Sequence, residues 1–414
     1  MFYEIRLAWR NLWRHRTRTI ISGMAVSLSF ASLLISFGVA DANYVQLLRV
    51  AIKTAGGSVL IHADGWQQSH ANDLLITSAD QVTAAAETIK GVSSIIPRII
   101  VQGLLTSSRG AEPVQLFGID SPAQAKLLDL SPYIMKGNFL EKEDKRALVI
   151  GEKLAKKLGV SLGDRIVMMA SDITGEPARA LFRVSGILEP RAGIDTGVAF
   201  TSINAAAAAI GAKKAITEIG LVLDDDTQRA KVIKQLQGLL NTQTQSLEFL
   251  PWEKALPDLL GAIQADKAFG WLYGLLVFLI MGFGIANTFL MSVLERVREL
   301  GLLSALGLTP IRTIRLILYE ATVLTAVSVV IGYALALAMH GYLSSIGIDV
   351  AAISNMQIEL AGVTIEDMHI RSVIDPMRWG LGGIGVVLIV LLSACYPAMR
   401  AAKLDPIIAM RTYE

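Results

Sequence analysis

Charge is what this chain has least of. Only 18% of its 414 residues are charged while 53% are hydrophobic, against about a quarter charged in an ordinary soluble protein. The net formal charge of +2 gives no bulk bias toward nucleic acid or another polyanion. There is one cysteine, Cys395, so an internal disulfide is excluded. The five histidines, His15, His62, His70, His340 and His369, are scattered without metal-ligand spacing. HExxH, paired-cysteine and GxSxG patterns are missing, as is the GxxxxGK[ST] loop that cradles nucleotide phosphates. Together these absences predict no enzyme, no metal and no cofactor bound by the chain itself.

What is present is four apolar stretches that reach the roughly 20 residues needed to cross a bilayer. They predict spans at 19–40, 269–294, 313–340 and 376–396, with Arg315 and Glu320 placing the start of the third at the interface. None carries the chain of buried carboxylates or the broken midplane helix of an ion-coupled carrier, so energy for any transport has to come from outside the chain. Arginine and lysine set the orientation. Arg6, Arg10, Arg14, Arg16 and Arg18 precede the first span; Arg296, Arg298, Arg312 and Arg315 lie between the second and third; Arg400, Lys403 and Arg411 follow the fourth. The connection 341–375 has Asp349, Glu359, Glu366, Asp367 and Asp375 against Arg371. Both termini are therefore expected in the cytoplasm, with 295–312 as a cytoplasmic segment, 397–414 as a cytoplasmic tail, and 341–375 outside.

Residues 1–18 place Phe2, Ile5, Trp9 and Leu12 at helical spacing, which predicts an amphipathic helix in the inner interface. The first span is too long for a signal-peptide core, despite Ala40-Asp41-Ala42 after it. Within it Ser22, Ala25, Ser29, Ser32 and Ser36 form a small-residue stripe, and Gly270 and Gly274 open the second span at GxxxG spacing. Both predict close helix packing or dimerisation.

The region 41–268 predicts an α+β extracytoplasmic domain between the first two spans. Expected strands are Ser58 to His62, Ile95 to Gln102, Val114 to Ile119, Ala147 to Ile150, Arg165 to Ala170, Ala180 to Leu188 and Glu218 to Leu223. Expected helices are Ala79 to Ile89, Glu152 to Leu158 and Thr227 to Leu240. The loop Ser171 to Arg179, with Gly175 and Pro177, is expected to project.

After the second span come Glu295, Arg296, Arg298 and Glu299, then Leu300, Leu303 and Leu306 on one expected apolar face ending at Gly307 and Pro310. A short amphipathic helix of this kind either docks in a protein groove or simply flanks a span. The stretch from Glu295 to Gly307 resembles the E-R-x-R-E-[IL]-G-x-L-x-A-L-G signature of the FtsX/MacB-like (type VII, mechanotransmission) ABC transporter permease family. Ala8-Trp9-Arg10-Asn11-Leu12, Pro310 with Glu320, Tyr396-Pro397-Ala398 and Leu404-Asp405-Pro406-Ile407 are similar to other parts of its pattern. In 41–268, Ile150-Gly151-Glu152-Lys153-Leu154-Ala155, Gly163-Asp164 and Val184-Ser185-Gly186-Ile187 resemble a MacB-type periplasmic core.

The resemblance implies a homodimer or heterodimer of four-span subunits in the cell inner membrane. A separate ABC ATPase subunit, which supplies ATP and Mg, would dock on Glu295, Arg296, Arg298, Glu299, Leu300, Gly301, Leu303, Ala305, Leu306 and Gly307. The chain is most similar to the lipoprotein-releasing Lol-type subunits, which implies an acylated or other amphiphilic substrate, contact with membrane lipids, and hand-over to a periplasmic carrier. Ser29, Ser32 and Ser36 with Phe278 and Phe283 are then the expected substrate cavity, and Thr174, Gly175, Pro177 and Arg179 the expected carrier hook. Alternatives are MacB-like efflux of peptides or amphiphiles through an adaptor and outer-membrane duct, and FtsX-like signalling to wall hydrolases. A membrane-anchored scaffold leaves the signature unexplained.

Overall fold

The computed structural model describes residues 9–14, 16–141, 144–189, 197–212, 215–240, 246–349, 358–360, 363–365 and 369–403. Expectations that fall on Phe2, Ile5, Arg6, Ala8, His15, Glu366, Asp367, Arg411 and the stretch 404–407 lie outside them. The chain divides into two compact units, one of Met1–Val45, Ile263–Ile353 and His369–Glu414, the other of Gln46–Ala262 with Ser354–Met368.

Among the described residues, the first unit is built on four helices long and apolar enough to cross a membrane. They are Arg16–Ala55, Pro257–Glu295, Pro310–Ser345 and Pro376–Ala402, and the four apolar stretches lie within them. Three begin with proline, which lacks the amide hydrogen that a first helical turn leaves unused. The fourth is also capped by Asp375, whose carboxylate accepts from the amides of Met377 and Arg378.

Small residues set the packing of this bundle. Gly332 lies where a Cβ would come within 2.7 Å of the Phe30 ring, so the first and third helices approach closely there. Phe30 meets Tyr333 edge-on at 4.9 Å, and the Tyr333 hydroxyl donates to the Trp379 carbonyl at 2.8 Å, tying in the fourth helix. Gly274 faces Leu33 and Phe37 of the first helix, whereas Gly270 faces open space. Of the GxxxG pair, one glycine thus serves packing within the chain.

The second unit contains a ten-stranded sheet. In chain order its strands are β1 Val59–Ala63, β2 Val92–Thr106, β3 Ala111–Ile119, β4 Ile134–Gly137, β5 Ala147–Gly151, β6 Arg165–Ser171, β7 Pro177–Leu188, β8 Val198–Ser202, β9 Glu218–Leu223 and β10 Leu247–Pro251. Strand β2 is 15 residues long and serves two lobes. Its far half pairs with β3 and β6, and β3, β8, β5, β7 and β6 pair in succession, so six strands close into a ring without an open edge. Alternate residues such as Leu105, Leu116, Leu148, Ile166 and Phe182 form its core with the helices Glu152–Leu158 and Ile203–Ala209. The near half of β2 pairs with β9, followed by β1 and β10, and this lobe buries Val59, Ile61, Ile219 and Leu221 against helices Ala79–Glu87 and Arg229–Leu239.

A row of polar residues crosses the second lobe in register: Glu248 on β10, His62 on β1, Glu218 on β9 and Arg98 on β2. Arg98 donates to Glu218 and, at 2.7 Å, to the Ala55 carbonyl, while His62 Nε2 lies 2.9 Å from Glu218. Burial pushes the Glu218 carboxyl up, but the Arg98 guanidinium and His62 outweigh it and hold the group below its ordinary value.

Candidate functional site: the corner after the second long helix

The second long helix ends at Glu295, the backbone breaks at Arg296, and a new helix runs Val297–Ala305. Gly307, at φ +97°, closes it: its amide bonds the Ser304 carbonyl, and the Leu308 amide reaches the Leu303 carbonyl at 2.9 Å. The signature thus places glycine where a left-handed residue stops the helix.

A polar cluster fixes this short helix to the bundle. Arg296 Nη1 donates to both carboxylate oxygens of Glu320 at 2.9 and 3.0 Å, and Asn11 Nδ2 donates to the same carboxylate at 2.7 Å. Glu299 lies 3.4 Å from Arg296 and 2.8 Å from Arg14. Asn11, Arg296 and Glu320 therefore join three stretches of chain, Asn11 lying 309 residues from Glu320 in sequence, and Glu320 is only 4% exposed. Sequence reasoning assigned Glu320 to a helix start and Asn11 to a pattern; their partnership becomes visible only in space.

Burial corrects the expected apolar face. Leu300 is 3% exposed and belongs to the bundle core with Phe289, Val293 and Ile317, and Gly301 is buried beside it. The reason is helical phase: Leu300 lies opposite the row Arg298, Leu302, Ala305 and Leu306, which is exposed at i, i+4, i+7 and i+8. Leu306 is 77% exposed. Arg296, Leu300 and Gly301 make the seat, Glu299 lies at its edge, and Arg298, Leu302, Leu303, Ala305 and Leu306 make the outward surface. Glu295 and Gly307 mark its ends, both exposed.

In the same unit a cleft of about 380 Å³ is lined by Phe37, Asp41, Lys267, Trp271, Phe278 and Arg378 among others. Its rim is charged, with Arg378 paired to Asp41 and the Lys267 ammonium 3.8 Å above the Tyr44 ring. Of the expected cavity residues only Phe278 lines it. Ser32 lies 3.3 Å from the Tyr273 hydroxyl, Ser29 and Ser36 are half-buried elsewhere on the first helix, and Phe283 is 74% exposed on the outside of the bundle. Within the bundle the first helix packs through its larger residues Val26, Phe30 and Leu34, with Ser22 of the small-residue stripe buried.

In the second unit, the β6–β7 hairpin is tighter than expected: β7 starts at Pro177, so Pro177 and Arg179 belong to a strand and the turn spans 172–176. Asp172 organises it, accepting from the Thr174 amide and hydroxyl at 2.7 and 2.6 Å and the Glu176 amide at 3.0 Å. Those bonds, the Thr174 hydroxyl first, hold the Asp172 carboxyl below its usual range. Gly175, at φ +86°, completes the turn. Below it, Arg165 and Arg183 stand directly opposite each other on β6 and β7, a costly like-charge pairing, in a surface hollow shared with Lys145 and Arg146. Sequence reasoning missed this basic patch, whose signal was two arginines equidistant from one turn.

The chain thus combines a four-helix apolar unit, a mixed α/β unit whose ten-stranded sheet falls between the first two long helices in chain order, and a pinned corner helix. Residues 271–406 match the family profile "FtsX-like permease C-terminal", and residues 19–239 match "MacB-like periplasmic core domain". The chain belongs to the FtsX/MacB-like family of ABC transporter permeases. It is 24% identical over 98% of its length to the pyoverdine export ATP-binding/permease protein PvdT of Pseudomonas aeruginosa, 58% of which is covered. It is likewise 24% identical over 86% of its length to the lipoprotein-releasing system transmembrane protein LolC of Haemophilus influenzae, 88% of which is covered. The chain thus spans about three fifths of the length of the pyoverdine-export relatives it matches. Among solved structures, the periplasmic region of MacB from Actinobacillus actinomycetemcomitans aligns at 15% identity with a TM-score of 0.35, covering 49% of this chain and 91% of that one.

Proposed function

We propose that this permease is driven by an ABC ATPase on a separate subunit, which docks on the outward row of the corner helix from the cytoplasm and supplies ATP and Mg. The observation that carries this reading is the corner itself. A helix of nine residues is too short to be stable alone, yet it is pinned by a buried arginine–glutamate pair while turning leucines outward. Such an arrangement transmits force: a push on Leu302 and Leu306 reaches the third helix through Arg296 and Glu320. On this reading both termini are cytoplasmic, the α/β unit stands in the periplasm, two permease subunits act together, and the work is mechanical.

The substrate we infer is a lipid-anchored protein, extracted from the inner membrane and passed to a periplasmic carrier. Three features support this: the relative LolC, covered along most of its length; the cleft with an apolar wall and charged rim; and the β6–β7 turn with its basic patch, a docking face for a carrier of acidic surface. A second reading, export of a small amphiphile, is favoured by the pyoverdine-export relatives, which align with nearly the whole chain. Mass spectrometry of material copurifying with the complex separates the two: acylated protein supports release, and a small amphiphile alone overturns it.

Docking is tested by copurification of the ATPase subunit. Leu306→Asp and Leu302→Asp are expected to lower its recovery at least about tenfold, the scale of burying one unpaired charge at an interface, with unchanged thermal stability of the permease. Undiminished recovery places the docking surface elsewhere. Cysteine labelling that finds 297–308 accessible only from the periplasm overturns the orientation.

A further inference from the structure

A second groove, of about 240 Å³, opens on the membrane unit between the helical segment 9–14, the first turns of helix Arg16–Ala55 and the middle of helix Pro310–Ser345. Its walls are mainly apolar, with Leu12, Ile20, Met24, Leu324, Val327 and Ile331 along them. Thr19, Ser27 and Ser328 are the uncharged polar side chains along it, and its charge is confined to one end. There Arg16 lies with its guanidinium 5.5 Å from the Trp13 ring centroid, and Arg10 and Arg14 are exposed on the preceding turns. Trp9 and Trp13, about half exposed and 6.0 Å apart, flank the same mouth. Paired tryptophans beside arginines are what a bilayer interface selects.

The groove also has about the depth of one leaflet. Along the third helix its lining runs from Val323 to Ile331. That rise is ~12 Å at ~1.5 Å per residue, against ~15 Å for half of a hydrocarbon core of about 30 Å. A slot walled mainly by apolar side chains over about one leaflet's depth and cationic only at its mouth matches the charge and shape of one lipid class.

We propose that this groove holds an acyl chain of an anionic phospholipid of the inner leaflet, with its phosphate bound by Arg16 and Arg10. The lipid then clamps the segment that carries Asn11 and Arg14 onto the third helix that carries Glu320. Because those residues seat the corner helix, anionic lipid controls how firmly the ATPase-facing element is held. The inference goes beyond the proposed transport activity and rests only on the cytoplasmic placement of the first helix's start.

The test is native mass spectrometry of the full chain from nanodiscs containing equal phosphatidylglycerol and phosphatidylcholine. Wild type is expected to retain phosphatidylglycerol preferentially. Combining Arg10→Gln with Arg16→Gln should cut that preference, each arginine contributing roughly fivefold. Val327→Trp, at a wall position 43% exposed and so free of the core, should fill the groove and lower retention of both lipids. Unchanged preference in the arginine double variant, or undiminished retention in Val327→Trp, overturns the proposal. So does efficient disulfide formation between two copies of Val327→Cys in a Cys395→Ser background, because a protein helix then occupies the groove. Lipid retention is read without reference to orientation or transport, so a failure here is distinct from failure of the labelling or copurification experiments.

Discussion

Among the described residues, each unit of the molecule has a buried arginine–glutamate pair, and the two are built for different ends. Arg98 and Glu218 sit opposite each other on adjacent strands, with His62 completing the row and the Ala55 carbonyl taking a remaining arginine hydrogen. The three side chains are held by one sheet, and the carbonyl belongs to the end of helix Arg16–Ala55. Arg296 instead stands at the break between two helices and Glu320 on a third, joined by Asn11 from a further segment, and only side-chain contact links the three. A pair within a sheet fixes a register, whereas a pair between helices can be made and broken as those helices move. Burial alone does not distinguish a structural ion pair from a transmitting one; what matters is whether its two ends can separate.

The largest effect is expected where separation is impossible. Glu218→Gln leaves the Arg98 charge buried without its counter-ion, and breaking such a pair typically costs about 3–5 kcal/mol. Thermal unfolding of the α/β unit should drop accordingly, and a near-neutral result would mean that water reaches the arginine. The same group gives a pH signature. Its folded-state carboxyl is held below its unfolded value of about 4.3, so its contribution is present above that pH and is lost as pH falls through the lower folded value. Below about pH 4, wild type should therefore lose stability more steeply than Glu218→Gln. Equal slopes would show that Glu218 is not the titrating group.

An intermediate effect is expected at the corner. In Glu320→Gln a neutral amide still offers an oxygen to Arg296, and Glu299 lies 3.4 Å from the guanidinium as a substitute, so the loss should be about 1–3 kcal/mol. Its sharper readout is local: trypsin should cleave after Arg296 or Arg298 faster than in wild type, at temperatures where the rest of the bundle is intact. Cleavage that tracks global unfolding would make the corner as rigid as the sheet and remove the contrast.

Most of the framework was legible in the sequence, for physical reasons that also explain the gaps. Twenty-residue apolar runs have no soluble alternative, so the four long helices were plain, and the buried strand β5 announced itself as a continuous apolar run. Three short strands, β4, β8 and β10, were missed because four or five residues carry too little periodicity. The closure of six strands into a ring was hidden because it depends on β2 changing partners halfway, which pairing alone decides. At the site, Gly307 was readable as a helix stop, but the phase of the corner helix was not. Leu300, Leu303 and Leu306 share a periodicity, yet Leu300 faces inward and Leu306 outward, because a nine-residue helix resting on a bundle has sides that only the bundle defines. Asn11 and Glu320, more than three hundred residues apart, could not be paired by any local rule.

The smallest effect should come from Arg14, whose contact with Glu299 at 2.8 Å is geometrically as short as the buried pairs. The Arg14 side chain is 67% exposed and that of Glu299 42% exposed, so water and salt screen the attraction and its worth is below about 1 kcal/mol. Arg14→Gln should accordingly shift the unfolding temperature little at low ionic strength and not at all near 1 M salt, where the screening length falls to about 3 Å. Glu320→Gln should keep its full effect under the same salt, because Arg296 and Glu320 are sheltered from it. If Arg14→Gln is as damaging as Glu320→Gln and equally indifferent to salt, the outer ion pair belongs to the clamp itself, and the seat of the corner helix extends to the protein surface.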